Sequence, residues 1–110
     1  MPEKTSDLIQ GTLDMLILKT LALEPMHGYG ISVRIEQISN GVFKPNAGSL
    51  FLAIQRLERD ALIDAEWHPT ENNRRAKYYS LTKKGRKRLN DETREWSRQV
   101  GAVARILEAS

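Results

Sequence analysis

A run of cations between residues 73 and 88 is the feature of this sequence with the clearest chemical consequence. Eight side chains in the run are basic and none is acidic: Arg74, Arg75, Lys77, Lys83, Lys84, Arg86, Lys87 and Arg88. The nine remaining basic residues are outnumbered by the fourteen acidic ones, so a formal net charge of +3 conceals a strongly polarised chain. Polarisation of this kind is typical of a surface that binds a polyanion.

A second group of polar side chains lies upstream, on a segment at about 47–60 with helical periodicity. Its inner face would be Leu50, Ala53, Ile54 and Leu57, and Asn46 is a suitable N-cap. The outward positions would be Ser49, Phe51, Leu52, Gln55, Arg56 and Arg59. Amide and hydroxyl groups can bind base edges or phosphates, and a phenyl ring can press on a thymine methyl. A helix with a merely solvated outer face gives the same pattern, and the helix taken alone favours that alternative.

Two short segments around a polar turn predict a β-hairpin. Residues 63–67 alternate apolar and polar side chains, and residues 76–81 are rich in aromatic ones. The turn contains asparagines, which tolerate positive φ. Its tip contains Asn73, Arg74 and Arg75, and Lys77 extends the basic edge, a composition that suits contact with a minor groove or a phosphate backbone. The alternative is a solubilising turn.

These groups must be positioned by a fold that the remaining pattern indicates. Helical spacing predicts a first helix at 7–24, with an apolar stripe from Leu8 to Leu21, and a second helix at 29–39, with Ile31, Ile35 and Ile38 pointing inward. The last helix follows Thr82, a suitable N-cap, and runs to about residue 107. We therefore predict a mainly α fold with a small β-hairpin, a winged helix-turn-helix over 7–82 with an additional helix over 83–108.

The last helix has a narrow apolar seam. Steps of four and three residues alternate along it, as at the a and d positions of a coiled coil, through Leu89, Thr93, Trp96, Val100, Val103 and Leu107. A narrow seam on a polar helix requires a partner helix, and a second copy of the chain is the simplest source. Packing on the chain's own first helix is the alternative. Trp96 could stack a flat aromatic ligand between two copies, or it could simply be packed in their interface.

Catalytic and metal-binding patterns are missing from the sequence. Without cysteine there is no disulfide or thiolate site, and neither His27 nor His68 has a zinc-type partner at helical spacing. We expect His27 to cap or pack at a chain corner. We therefore predict no enzymatic activity, no cofactor and no metal. Polar residues interrupt the apolar stretch at 8–23, which argues against a membrane span, and the cytoplasm is the expected location.

Taken together, these segments resemble the PadR family of bacterial transcriptional regulators, in particular its short members with one C-terminal helix. The resemblance is carried by residues 10–18, 27–31, 48–51, 56–58, 62–63, 73–79, 81–82 and 85. Its most specific parts are the His-Gly-Tyr corner at 27–29 and the Arg-Arg-Ala-Lys-Tyr-Tyr strand at 74–79. Phe51 departs from the family, since a tyrosine is common at that position.

The resemblance implies a homodimeric DNA-binding repressor that binds near-palindromic operators and is relieved by a small aromatic or drug-like effector. By position it assigns recognition to residues 46–56, the wing to 73–77, a phosphate contact to Tyr29 and a place in the dimer cleft to Trp96. An interaction module that pairs with proteins rather than with specific DNA is the alternative function, because a fold alone does not determine function.

Overall fold

The computed structural model describes residues 2–110, with side chains described from residue 12 onwards. Its elements are α1 (Pro2–Leu23), β1 (Met26–His27), α2 (Gly28–Ile38), α3 (Ala47–Arg59), β2 (Ile63–Pro69), β3 (Arg75–Leu81) and α4 (Lys83–Glu108). This order confirms the predicted helical fold with a β-hairpin. The first helix begins earlier than the predicted residue 7, and the positions of its predicted stripe before residue 12 lie outside the described side chains.

The sheet has three antiparallel strands in the order β1-β3-β2. Strand β3 lies in the centre, where Tyr79 is opposite Ala65 on one side and Met26 on the other. Strand β1 was not predicted, because two residues are too few to show an alternating pattern. Through β1, the sheet holds the start of α2 next to the hairpin.

The core lies where α1, α2 and α3 meet the beginning of β2. Its fully buried large side chains are Ile17, Leu18, Ile31, Leu57, Leu62 and Ile63. The predicted inner face of α3 is confirmed, since all four of its residues are buried. The prediction for Ile38 was wrong: this side chain is 61% exposed. It occupies the last position of α2, where Asn40 and Gly41 at positive φ turn the chain away from the core.

Side-chain caps start three of the helices. The Nδ1 atom of His27 accepts a hydrogen bond from the Gly30 amide at 2.9 Å, the Asn46 Oδ1 from Ser49 at 3.1 Å, and the Thr82 Oγ1 from Gly85 at 2.9 Å. These contacts confirm the predicted capping roles. Each satisfies a backbone donor that the first turn of a helix leaves without a partner.

The beginning of α4 is fixed against the turn that joins α3 to β2. The Thr82 hydroxyl donates to the carbonyl of Ala61 at 2.8 Å, and the Thr82 amide donates to the carbonyl of Leu62 at 3.2 Å. Gly85 is buried at this junction, where a Cβ atom would collide with the Leu62 carbonyl oxygen. Only glycine therefore permits this close approach of α4.

Candidate nucleic-acid interface

The outer face of α3 presents the polar and apolar groups that were predicted there. Gln55 is exposed, and Phe51 keeps 56% of its surface accessible although it is a large apolar residue. Leu52 is exposed beside it, and Ser49 is half-buried in the first turn. The exposed Phe51 and Leu52 lie outside the core, so the predicted rotation of this helix is correct.

Arg56 is held by an acidic side chain of another helix. Its Nη2 atom lies 2.6 Å from Oδ1 of Asp14 in α1, and both side chains are partly exposed. A partly exposed pair of this kind contributes little to stability, but it neutralises the cation and fixes its position. In this arrangement, a phosphate would have to compete with Asp14 for the Arg56 side chain. Arg56 therefore differs from Ser49, Phe51 and Gln55, the other predicted contacts of α3, in that it is already bound to another side chain of the protein.

The tip of the hairpin is a tight turn whose cations are free to bind a ligand. The Thr70 amide donates to the carbonyl of Arg74 at 2.6 Å, and Asn73 has a φ of 60°, the left-handed conformation expected for an asparagine here. Arg74 and Arg75 are exposed, and neither forms an ion pair with any residue that the structure describes. The tip therefore presents two uncompensated positive charges.

Lys77, in contrast, points back to the body of the protein. Its Nζ atom lies 3.2 Å from Oε1 of Glu58 in α3 and 5.9 Å from the centre of the Tyr79 ring. Burial raises the pKa of the Tyr79 hydroxyl, an effect that Lys77 opposes and Glu58 reinforces. The ion pair ties the hairpin to α3 across the space between them.

Trp67 is a surface residue that was not among the predicted site residues. It lies on β2 opposite Lys77 and is 55% exposed. A groove of about 590 Å³ separates the hairpin from α3 and contains Phe51, Gln55, Trp67, Lys77 and Tyr79. The alternation that predicted β2 already placed Trp67 on the same face as Ala65, opposite to Asp64 and Glu66. That signal could have identified Trp67 as a residue facing α3.

Tyr29 projects from the first turn of α2 and is 78% exposed. Its ring stacks at 6.5 Å on the imidazole of His27, which in turn contacts the edge of Tyr78 at 5.3 Å. His68 contacts Tyr78 at 5.3 Å as well, and its Nε2 atom lies 3.2 Å from Glu66. These aromatic contacts, which the sequence did not indicate, support Tyr29 from beneath.

The basic run divides into two unlike parts in three dimensions. In α4, Lys84 donates to the carbonyl of Asp60 at 3.0 Å, Lys87 pairs with Asp91 at 3.1 Å, and Arg88 lies 3.8 Å from Glu92. The two carboxylates compensate Lys87 and Arg88, whereas Lys83 and Arg86 form no ion pair with a described residue. The basic run therefore leaves uncompensated positive charge in two places, at the hairpin tip and in the first turns of α4.

The seam of α4 is buried only at its beginning. Leu89 joins the core, whereas Thr93, Trp96, Val100, Val103 and Leu107 remain exposed. An apolar groove of about 370 Å³ lies between the seam and α1, with Met15, Leu16, Phe43, Trp96, Val100 and Val103 in its walls. The described side chains of α1 thus cover one end of the seam and leave the other accessible.

Two further properties concern the described residues. None of their helices has the combination of length and apolar character that crossing a membrane requires. Their histidine and acidic side chains form no cluster of three that could hold a metal ion.

Comparisons with known proteins agree with this geometry. Residues 17–91 match the model of the transcriptional regulator PadR-like family. An uncharacterized protein from Lysinibacillus sphaericus is 33% identical over 103 residues, which cover 94% of each chain. A transcriptional regulator from Clostridium thermocellum has a TM-score of 0.85 at 27% identity, covering 94% of this chain and 97% of that one. A PadR family regulator from Eggerthella lenta has a TM-score of 0.81 at 28% identity, covering 99% and 93%.

Proposed function

The chain belongs to the PadR-like transcriptional regulator family, whose members are DNA-binding regulators and not enzymes, and we propose that it represses transcription as a homodimer on a near-palindromic duplex site. In this proposal, residues 7–82 bind DNA and residues 83–108 pair the two copies. The single observation that carries the proposal is that the outer face of α3 and the hairpin border one groove, with two uncompensated arginines at the hairpin tip. The cytoplasm, where the DNA is, is the proposed location.

On the duplex, α3 enters the major groove and the hairpin tip reaches the adjacent backbone or minor groove. Ser49, Phe51 and Gln55 contact base edges, and Asn46 contributes the amide group that its cap leaves free. Tyr29 contacts a phosphate from the first turn of α2. Arg56 contacts the duplex by exchanging Asp14 for a phosphate. The two copies of α3 lie one helical turn apart, about 34–36 Å.

Association through α4 follows from the exposed part of its seam. Apolar surface of this extent on one helix face is typical of an interaction site, and its coiled-coil spacing fits a second α4. Family members are usually dimers. The proposed contacts between the copies are Thr93, Trp96, Val100, Val103 and Leu107, with Leu89 at the edge of the core.

The hairpin contribution is tested by replacing both Arg74 and Arg75 with alanine. We expect weaker binding to all sequences and a slope of log K against log salt that falls by about one for each phosphate no longer neutralised. Fluorescence anisotropy with labelled genomic fragments at several salt concentrations measures both quantities. The matched comparison is Lys83→Ala with Arg86→Ala, which removes two cations at the start of α4 that form no ion pair with a described residue. An unchanged slope for the first variant contradicts the role of the hairpin.

A protein-interaction module is the competing function. It predicts that the wild-type chain retards no genomic fragment in a gel-shift assay at low salt. Retardation of a subset of fragments, with a rise in expression of the adjacent genes when the protein is removed, supports the repressor.

The effector is proposed to be a flat aromatic compound that enters the apolar groove beside Trp96. The groove between α1 and α4 supports this idea, because it combines apolar walls with an indole. Aromatic compounds should quench tryptophan fluorescence in the wild type and lose most of this effect in Trp96→Phe. Equal quenching in the two proteins, which share Trp67, contradicts the site.

A further inference from the structure

The groove between α3 and the hairpin, here called the helix–wing groove, has an unusual lining for a surface that faces a polyanion. Phe51 and Trp67 form its apolar walls, and each keeps more than half of its surface accessible. Tyr79 is buried at the floor. The cation in the floor, Lys77, is paired with Glu58. Arg59 also lines the groove and lies 3.7 Å from Asp60, so each cation of the groove faces a carboxylate, whereas those of the hairpin tip do not.

The proposed function requires something to occupy this space, and the present inference rests on that function. The major groove and the adjacent minor groove of a duplex are separated by one sugar–phosphate strand. When α3 lies in the first and the hairpin tip reaches the second, that strand must cross the space between α3 and the hairpin. This space is the helix–wing groove.

The chemistry of the groove fits the sugars of that strand better than its phosphates. A deoxyribose ring presents C–H groups, which pack favourably on an aromatic face, whereas a phosphate requires cations or free N–H donors. The walls offer two accessible aromatic rings, and both cations of the lining already have carboxylate neighbours, Lys77 at 3.2 Å from Glu58 and Arg59 at 3.7 Å from Asp60. Gln55 remains exposed at the edge as a neutral donor.

We propose that the helix–wing groove receives the sugar–phosphate strand between the two duplex grooves, with the indole of Trp67 packed against a deoxyribose. Trp67 is thus a DNA contact in addition to the predicted ones. Because every nucleotide carries the same sugar, this contact contributes affinity without sequence preference. Because it involves no charge, it leaves the salt dependence of binding unchanged.

The first test compares Trp67→Ala with Trp67→Phe, using the full chain and labelled duplexes. Alanine should weaken binding to specific and unrelated sequences alike by about tenfold, with an unchanged slope of log K against log salt. Phenylalanine keeps an aromatic face and should lose less than about threefold. The matched control is Ile38→Ala, which truncates a comparably exposed apolar residue at the C-terminal end of α2. This variant should bind as the wild type does. Circular dichroism checks that each variant is folded.

Several outcomes overturn the inference. If Trp67→Ala binds DNA with wild-type affinity, the sugar–phosphate strand does not occupy the groove. A loss confined to one sequence means that Trp67 contacts a base. A loss in Trp67→Phe as large as that in alanine means that the indole N–H, and not ring packing, makes the contact.

A second measurement separates failure of the inference from failure of the proposed function. The chain is labelled with 5-fluorotryptophan for ¹⁹F NMR, and the resonance of Trp67 is assigned by its loss in Trp67→Phe. Duplex addition should shift this resonance and reduce its sensitivity to exchange of H₂O for D₂O. If the labelled protein does not bind duplex at all, the proposed function is wrong. If it binds while the Trp67 resonance stays unchanged, only the present inference is wrong.

Discussion

Ile17 and Val103 are both β-branched aliphatic residues on long helices, yet their surroundings differ completely. Ile17 in α1 is fully enclosed, whereas Val103 in α4 keeps 54% of its surface accessible. The first belongs to a core that α1, α2, α3, the sheet and Leu89 at the beginning of α4 close within one chain. The second lies where the described part of the chain covers it only partly. The core of the winged region is therefore closed within one chain, while the distal half of α4 keeps apolar surface accessible among the described residues.

The boundary between the two regions is sharp and lies within α4. Leu89 is buried, but Trp96, seven residues later on the same face, is already half-exposed. Apolar spacing alone does not distinguish the two positions, since both belong to the same seam. What differs is that α1 lies beside the first and only partly beside the second. Four experiments test this contrast, beginning with the one that has the largest expected effect.

Leu57→Ala should lower the free energy of unfolding by about 3 kcal/mol, because it leaves a cavity in a core that cannot collapse around it. Leu107→Ala removes the same atoms from an exposed position and should change the value by less than about 0.5 kcal/mol. Urea denaturation, at protein concentrations low enough to keep the chain monomeric, measures both. Equal losses would show that the two regions do not differ as described.

Val103→Glu should weaken self-association by about 2 kcal/mol, roughly thirtyfold, because two copies would bring unpaired carboxylates into one apolar interface. The winged region should stay folded, with an unchanged circular dichroism spectrum. Sedimentation equilibrium at micromolar concentration measures the association. Val42→Glu, at an exposed valine outside the seam, is the control. If both variants associate as the wild type does, α4 is not the pairing surface.

Thr82→Ala acts at the junction of the two regions and should cost about 1 kcal/mol of unfolding free energy. It removes the cap on Gly85 and the hydrogen bond to the Ala61 carbonyl together. Thr82→Ser retains the hydroxyl and should lose much less. Thermal denaturation compares the two, and equal losses would mean that the methyl group, and not the hydroxyl, matters.

The smallest effect concerns two adjacent carboxylates of α4. A hydrogen bond from Lys87 lowers the pKa of Asp91 below its usual 3.8, with Arg94 adding to the effect. Burial raises the pKa of Glu92 above its usual 4.5, with Arg88 opposing and Asp14 reinforcing the shift. Acidification below 3.8 therefore removes stability at Asp91, whereas below its raised pKa Glu92 favours the folded state. NMR titration of the carboxyl carbons checks the two directions, and a raised pKa for Asp91 would contradict them.

The sequence was sufficient for features that depend on local chemistry. The inner face of α3 follows from spacing alone, and Asn46 and Thr82 begin helices because their side chains can accept a nearby amide. The left-handed conformation of Asn73 has the same local origin. In each case the interacting groups lie within a few residues of one another, so the pattern contains the whole interaction.

Features that depend on distant residues were missed. Arg56 meets Asp14 and Lys77 meets Glu58 only after the helices and hairpin have packed, so a count of charges overstated the free cations. Strand β1 exists because β3 happens to lie beside two residues of a corner. Ile38 fits the periodicity of α2, but the chain turns away before anything can cover it. The DNA contacts themselves, including those of Phe51 and Gln55, remain predictions.

The close approach of Gly85 to Leu62 has a mechanical consequence. A helix of 26 residues is about 39 Å long, and its first turn is in contact with the turn that follows α3. Such a helix acts as a rigid arm whose N-terminal end is held next to the C-terminal end of α3. In the proposed homodimer, a tilt of a few degrees between the two α4 helices should change the separation of the two copies of α3 by about an ångström or more. Distance measurements between spin labels on the two copies of α3 would register that change.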